Sequence, residues 1–285
     1  MTPSSTLIVT GFDANHFDLA HDMANSYRHA YQDRHPLAAI VYGAQPPPAE
    51  LAALFDQVRH ITGDGAAFDH GKGFFLAYSG LKAQLRDVFP GYASYCWIDA
   101  DCWFSGDESM PRVLAGVSSH DLCIHPEFDV HYVNYPTPSE RTLSIYRTNY
   151  GANLRAMPLT MPMVNSGVFA MRADAPTWAL WAAELKQLRD RHERGETVFF
   201  SDQIALHKII HGHQLRTYPL RAVDNWQTYA CLPLVHRDSR SLRVPTPPHE
   251  RIGLLHLAGA TKHHTYTIDG KPSTLRYRDV MALFA

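Results

Sequence analysis

Up to residue 98 the apolar positions change period repeatedly, from the two-residue repeat of strands to the three- and four-residue repeat of helices. Leu7 to Thr10 is a short β-type run followed by the turn-rich group Gly11-Phe12-Asp13-Ala14-Asn15. Phe17, Ala20, Met23, Ala24, Tyr27 and Tyr31 then share one helical face. Leu37 to Tyr42 predicts a second strand, closed by Pro46-Pro47-Pro48, and Glu50 to Val58 a second helix. A short strand near His60 to Thr62, a helix from Gly73 to Phe89 and the strand Ser94 to Ile98 continue the series. Such alternation favours a mostly parallel sheet covered by helices on both faces.

Beyond Asp99 the pattern loosens. A short helix near Pro111 to Ala115 and a strand at Asp121 to Ile124 are expected, and then from His125 to Pro162 the chain is rich in Tyr, Pro, Asn, Thr and Arg without clear period. A long irregular insertion in a compact domain is more often functional than idle. Regularity returns with the strand Val164 to Met171 and a helix for which Asp174 is the expected N-cap, with Trp178, Trp181, Leu185 and Leu188 on one face. A further helix starts near Ser201, and Leu215 to Leu220 and Ile252 to Leu257 read as late strands.

Composition narrows the picture by exclusion. At 285 residues the chain suits one large α/β domain. Its 26 basic and 28 acidic residues give a net charge of −2, so no overall field draws it to nucleic acid or to an anionic membrane. No apolar run reaches the roughly 20 residues that span a bilayer, and the first residues lack a signal-peptide pattern, which predicts a cytoplasmic protein with no transmembrane segment. Cys96, Cys102, Cys123 and Cys231 show no Cys-x-x-Cys spacing and are expected to be buried, reduced thiols.

Four segments carry chemistry. Tyr95-Cys96-Trp97-Ile98-Asp99-Ala100-Asp101 is an apolar strand delivering two carboxylates at its C-terminal end, the edge where open α/β sheets bind ligands. Two such carboxylates repel each other, and a hard divalent cation bridging a diphosphate relieves that cost. In Asn165-Ser166-Gly167-Val168, Gly167 admits a ligand close to the backbone and Asn165 offers a donor and an acceptor; a bulge with a buried, satisfied Asn explains the same residues. Ser201-Asp202-Gln203 puts a carboxylate and an amide in a first helical turn, where capping accounts for Asp202 as well as catalysis does. His256, Gly259 and Lys262 end a late strand with an imidazole, a flexible residue and a cation, a set that suits a metal ligand beside a phosphate.

In this order the segments resemble glycosyltransferase family 8, the retaining enzymes that include bacterial lipopolysaccharide galactosyl- and glucosyltransferases and glycogenin. The resemblance covers most of the chain and implies a single GT-A-type domain, residues 1–124 forming a nucleotide-binding half and 125–285 an acceptor-side half. It implies Asp99, Asp101 and His256 as ligands of Mn²⁺ or Mg²⁺, and Asp202, Gln203 and Lys262 as catalytic groups. Contacts to a nucleotide sugar fall on Thr10, Asp13, Lys82, Asn165, Ser166, Gly167, Gly259 and Lys262, with the Asp13 carboxylate accepting from uracil N3–H of a UDP donor. A carbohydrate or glycolipid hydroxyl is the implied acceptor, in bacterial surface glycan or lipopolysaccharide synthesis. The chain departs from the family pattern at His263-His264, where Pro-Trp is usual, and at His16, where Tyr is usual.

Rival readings are weaker. A haloacid-dehalogenase-type phosphatase also places Asp-x-Asp after an apolar strand, but near the N-terminus and with Thr two residues after the second Asp, where Trp103 stands here. A non-catalytic nucleotide-sugar-binding protein would keep the fold and lose turnover. A nucleotidyltransferase is disfavoured because the first strand lacks a Gly-rich, basic phosphate loop.

Overall fold

Strand order follows from which runs are apolar on both sides. The computed structural model describes residues 5–32, 34–62, 80–132, 140–151, 163–268 and 270–285. Its main sheet has seven strands: β1 (Thr6–Phe12), β2 (Leu37–Tyr42), β3 (Gln57–Ile61), β4 (Ser94–Ile98), β6 (Leu122–Pro126), β7 (Val164–Arg172) and β8 (Thr217–Pro219), in the order β3-β2-β1-β4-β7-β6-β8. From β3 to β4 every pairing is parallel; β7 runs antiparallel to β4 and β6, and β8 is parallel to β6. The prediction of a large, mostly parallel sheet flanked by helices holds.

Alternate residues of the central strands feed two cores. Ile8, Phe12, Cys96 and Ile98 face one side, against Ala20, Met23, Ala24, Tyr27 and Tyr31 of α1 (Phe17–Tyr31), Leu51 of α2 (Ala49–Ala52), and Met110 and Val113 of α4 (Ser109–Val117). Leu7, Val9, Tyr95 and Trp97 face the other, against Trp178, Trp181, Leu185 and Leu188 of α6 (Thr177–Glu193) and Leu206 and Ile209 of α7 (Asp202–Gly212). Each of these large side chains contributes about 1.5–3 kcal/mol by leaving water. Two further helices, α3 (Leu85–Val88) and α5 (Glu140–Tyr150), lie between these elements in sequence.

A second, three-stranded sheet joins β5 (Cys102–Phe104), β12 (Leu254–His256) and β9 (Trp226–Gln227), with β12 in the middle. It rests on a third core that includes Trp103, Trp226, Leu255 and Val280, the last from α8 (Tyr277–Phe284). The hairpins β10 (Leu234–His236) with β11 (Ser241–Arg243), and β13 (Tyr266–Ile268) with β14 (Lys271–Ser273), complete the described chain. All four cysteines are free and buried. Among the described residues no helix is long and apolar enough to cross a membrane.

Several expected boundaries move for physical reasons. The helix expected over Glu50 to Val58 stops at Ala52, because Asp56 pairs with the start of β2: its N–H donates to Leu37 O at 2.8 Å and its Oδ2 accepts from Leu37 N at 2.7 Å. The chain is thereby turned back, and β3 begins at Gln57 rather than near His60. Of the helix expected from Gly73 to Phe89, residues up to 79 lie outside the described ones, and the rest is the helical residues 80–82, a turn at 83–84 and then α3. Asp174 does not cap α6; Pro176 holds that position, and Asp174 pairs with Arg172 at 2.9 Å. The stretch His125 to Pro162 is not wholly irregular, since α5 lies within it; residues 133–139 and 152–162 lie outside the described ones.

Candidate functional site

The strand β4 is buried on both faces, so its polar continuation must emerge at its end, where Asp99 donates its backbone N–H to Gly167 O at 2.7 Å. Asp99 Oδ1 accepts from Trp97 Nε1 at 2.7 Å and lies 3.0 Å from Lys82 Nζ. The same ammonium is 3.1 Å from Asp202 Oδ2 and donates to Ser166 O at 3.2 Å, while Ser166 Oγ donates to Asp202 Oδ2 at 2.9 Å. Asp202 is delivered by the first turn of α7, which Ser201 caps by accepting from Ile204 N. Lys82 is only 2 % exposed. Burial alone would strip its proton, but the carboxylates of Asp202 and Asp99 outweigh burial and raise its pKa. Lys82 thus binds two site carboxylates together inside the protein.

Asp101 is held from the other side. Strand β5 pairs antiparallel with β12, placing Cys102 opposite His256, and Leu257 N donates to Asp101 O at 2.9 Å. These ladder bonds bring His256 Nε2 within 3.3 Å of Asp101 Oδ1. Lys262 Nζ reaches Oδ2 at 2.9 Å from the 3₁₀ turn Gly259–His263, which opens on Gly259 in the left-handed region at φ +65°. Burial would raise the Asp101 pKa, yet His256 and Lys262 more than offset it and hold the carboxyl well below the usual range. For His256 burial works against the proton, and Asp101 and Asp99 outweigh it, so its pKa is raised.

Gly167 is the gap between these two clusters. A Cβ there would stand 2.3 Å from His256 Cε1, 2.8 Å from Asn165 Oδ1 and 3.0 Å from Asp99 Oδ2. Only glycine lets the imidazole and the carboxylate approach the strand this closely. Among the described residues the metal-binding atoms that gather within 4.8 Å of one another belong to Asp101, Cys102 and His256, not to the expected set of Asp99, Asp101 and His256. Asp99 is drawn toward Lys82, with Oδ2 facing Gly167. The Cys102 thiol is kept protonated by burial and by the charges of Asp101 and Asp99, which makes it a poor partner for a hard cation. The Asp99 and Asp101 carboxylates and the His256 imidazole are donors of the kind that a divalent cation takes.

The remaining expected residues divide. Asn165, Ser166 and Gln203 do join the site: Asn165 Oδ1 accepts from Gly167 N at 3.0 Å, and Gln203 Oε1 lies 3.5 Å from Ser166 N. Thr10 ends up fully buried in β1, its Oγ1 without a hydrogen-bond partner among the described residues. Asp13 is engaged locally, accepting from Asn15 N at 3.0 Å and lying 2.6 Å from His16 Nδ1. Burial raises its pKa, but the bonds and charge of His16 prevail and lower it. The departure at residue 16 therefore occupies the carboxylate expected to read the base.

Three site residues escape sequence reasoning. Glu127 follows β6 and lies 3.1 Å from Asn165 Nδ2 and 3.3 Å from Gln203 Nε2; burial pushes its pKa up. Asn225 bridges His256 and Asn165, at 2.9 and 3.0 Å. Gln227 pairs with His256 across β9 and β12, so the two side chains leave the small sheet on one face, and both polar ends of its fully buried amide lack partners among the described residues. The only signal for Asn225 and Gln227 was the polar run Asp224-Asn225 and Gln227-Thr228 on either side of Trp226, and Glu127 gave none.

No protein-family model matches the chain, and no curated protein matches its sequence.

Proposed function

We propose that the chain is a cytoplasmic, metal-dependent glycosyltransferase that moves a hexose or N-acetylhexosamine from a UDP donor to a carbohydrate or glycolipid hydroxyl. The observation that carries this reading is the pairing of Asp101 with both His256 and Lys262 at the carboxyl edge of β4, with Gly167 beside them. A GT-A-type arrangement, with nucleotide on the 1–124 side and acceptor on the 125–285 side, belongs to the same proposal.

Asp101 and His256 would hold the divalent cation, with Asp99 Oδ2 completing the protein ligands across Gly167. When bound, Mn²⁺ or Mg²⁺ supplies Lewis acidity at the diphosphate. Lys262, on its 3₁₀ turn, neutralises the charge that grows on the departing diphosphate through a charge-assisted hydrogen bond. Asp202 and Gln203, fixed at the α7 N-terminus, face the sugar beside Ser166 and Asn165. Lys82 keeps Asp99 and Asp202 from repelling each other at this spacing.

A second reading, a nucleotide-sugar-binding protein without metal or turnover, is favoured by one observation. Asp99 and Asp101 each already have a lysine at about salt-bridge distance, 3.0 Å and 2.9 Å, which neutralises them without a cation. A thermal-shift panel of UDP-, GDP- and CDP-sugars with and without Mn²⁺ separates the two, because a ligand of the folded state raises Tm by mass action. The enzyme reading expects the largest rise for a UDP-sugar with Mn²⁺, followed by release of UDP when an acceptor is added. Equal shifts with and without Mn²⁺, and no UDP release, favour the second reading. No shift with any nucleotide sugar defeats both.

A further inference from the structure

Hydrogen-bond direction across the site is fixed from its two ends. A carboxyl oxygen that takes two amide groups can only accept, and a backbone N–H can only donate. Glu127 Oε1 meets the side-chain nitrogens of Asn165 at 3.1 Å and Gln203 at 3.3 Å, so both amides turn their NH₂ groups toward it. The Asn165 oxygen must then point away, and the Gly167 N–H verifies this independently by donating to it at 3.0 Å. That oxygen can only accept, so the group Asn225 presents to it at 3.0 Å is the NH₂. The Asn225 oxygen is left facing His256 Nδ1 at 2.9 Å, and it requires a ring N–H opposite. Every member of the chain is buried, from Glu127 at 9 % and Asn165 at 6 % exposed to Asn225 at 0 % and His256 at 4 %. Water therefore cannot readily reverse it.

We propose that Glu127 is a positioning residue for the cation ligand: through Asn165 and Asn225 it keeps a proton on His256 Nδ1 and so assigns Nε2, the nitrogen facing Asp101, to the metal. This rests on the cation reading above. It extends that reading by joining the two halves of the site, since Asn165 and Gln203, the residues proposed to face the sugar, are oriented by the same carboxyl that sets the imidazole. An outer partner of this kind fixes ring orientation and tautomer, and its loss typically costs about tenfold to a hundredfold in metal affinity.

The test uses the full chain labelled with ¹⁵N and two readouts. The first is the His256 Nδ1–H signal and its exchange with solvent in the metal-free protein; the second is the calorimetric Kd for Mn²⁺ in the presence of UDP. Wild type is expected to show a slowly exchanging Nδ1–H. Glu127→Leu and Asn225→Leu, each checked for folding by circular dichroism, should lose slow exchange and weaken Mn²⁺ binding about tenfold to a hundredfold. Glu127→Gln still offers one oxygen to both amides and should retain the Nδ1–H and bind Mn²⁺ within a few-fold of wild type. A folded Glu127→Leu or Asn225→Leu with unchanged exchange and affinity overturns the proposal; if the first does not fold, the second decides. Should wild type bind no Mn²⁺ with UDP, the cation reading fails, while the Nδ1–H comparison still decides the wiring, so the two failures are told apart.

Discussion

Lys82 and Asp202 come from distant parts of the sequence and meet at 3.1 Å in the interior, with Asp99 on the same ammonium at 3.0 Å. Two elements, the helical residues 80–82 and the N-terminus of α7, are tied to the end of β4 through one side chain.

Replacing Lys82 with Met should leave two carboxylates with no counter-charge, at a cost of about 3–5 kcal/mol, the usual penalty for breaking a buried pair. Adding Asp202→Asn should recover part of this. Denaturant unfolding of the two single variants and the double variant checks it, and strictly additive losses would mean that the pair does not act as a unit.

Cation and nucleotide should bind cooperatively. Three carboxylates, Asp99, Asp101 and Asp202, face Lys82, Lys262 and His256, so the site has little net charge with which to attract either ligand alone. Mn²⁺ should tighten UDP binding by about tenfold or more, a coupling of about 1.4 kcal/mol, and UDP should tighten Mn²⁺ equally. Asp101→Asn should abolish the coupling and leave the fold intact. Calorimetry in both orders of addition measures it; UDP affinity indifferent to Mn²⁺ would remove the metal from the account.

Gly167→Ala should cost about 1–3 kcal/mol of stability through overpacking and eliminate Mn²⁺-dependent binding, because the new methyl would lie 2.3 Å from His256 Cε1. A variant of wild-type affinity would show that His256 can move aside and that its position is not critical.

Gln227→Leu should separate stability from function. Both polar ends of this amide are buried without partners among the described residues, so removing them should not destabilise the fold and can relieve about 1–3 kcal/mol of desolvation cost. Binding of UDP with Mn²⁺ should weaken, since the side chain leaves the sheet on the face of His256. Destabilisation with unchanged binding would assign Gln227 to packing alone.

Acid stability should carry the mark of His125. Burial pushes its pKa down to about 4, against the opposing backbone hydrogen bond to Leu220. The unfolded ring takes a proton near pH 6.5, whereas the folded ring stays neutral until about pH 4. The unfolded state thus binds more protons in this window, and stability falls as pH drops through it, by about 3 kcal/mol in all. Above pH 6.5 the contribution is complete, and below pH 4 no further loss follows from this group. Urea unfolding from pH 7 to 4 should show a slope that His125→Gln flattens; a parallel slope in the variant would trace the loss to other groups.

What the sequence disclosed depended on period and on neighbours. Leu37 to Tyr42 and Ser94 to Ile98 coincide with β2 and β4 because each is apolar on both faces and is closed by breakers or charge, the first by Gly43 and the prolines from Pro46, the second by Asp99. Asp101, Asn165, Asp202, Gln203, His256 and Lys262 could be read as candidate site residues because each stands in or beside a strand end or helix start that period locates, whereas Lys82 came only from the family resemblance. Glu127 and Asn225 were not legible. Their roles come from long-range hydrogen bonds, and the flanking residues Pro126-Glu127-Phe128 and Asp224-Asn225-Trp226 have no period to give away. For Lys82 the resemblance implied a contact to the nucleotide sugar, and the structure adds a placement that the sequence did not suggest, between the carboxylates of Asp99 and Asp202. Asp13 illustrates the converse, a residue in the expected place whose carboxylate is taken by its neighbour His16.

The ladder between β5 and β12 also has a bearing on how the molecule comes into being. Asp101 precedes β5 by one residue, but the strand that brings His256 to it, and the turn that brings Lys262, are synthesised long after it. On the ribosome, the Asp-x-Asp segment emerges long before either partner exists. A nascent chain stopped short of residue 256 can pair β4 with β1 yet lacks the His256 imidazole. Competence for the proposed chemistry is in this sense acquired all at once, when β12 slots between β5 and β9.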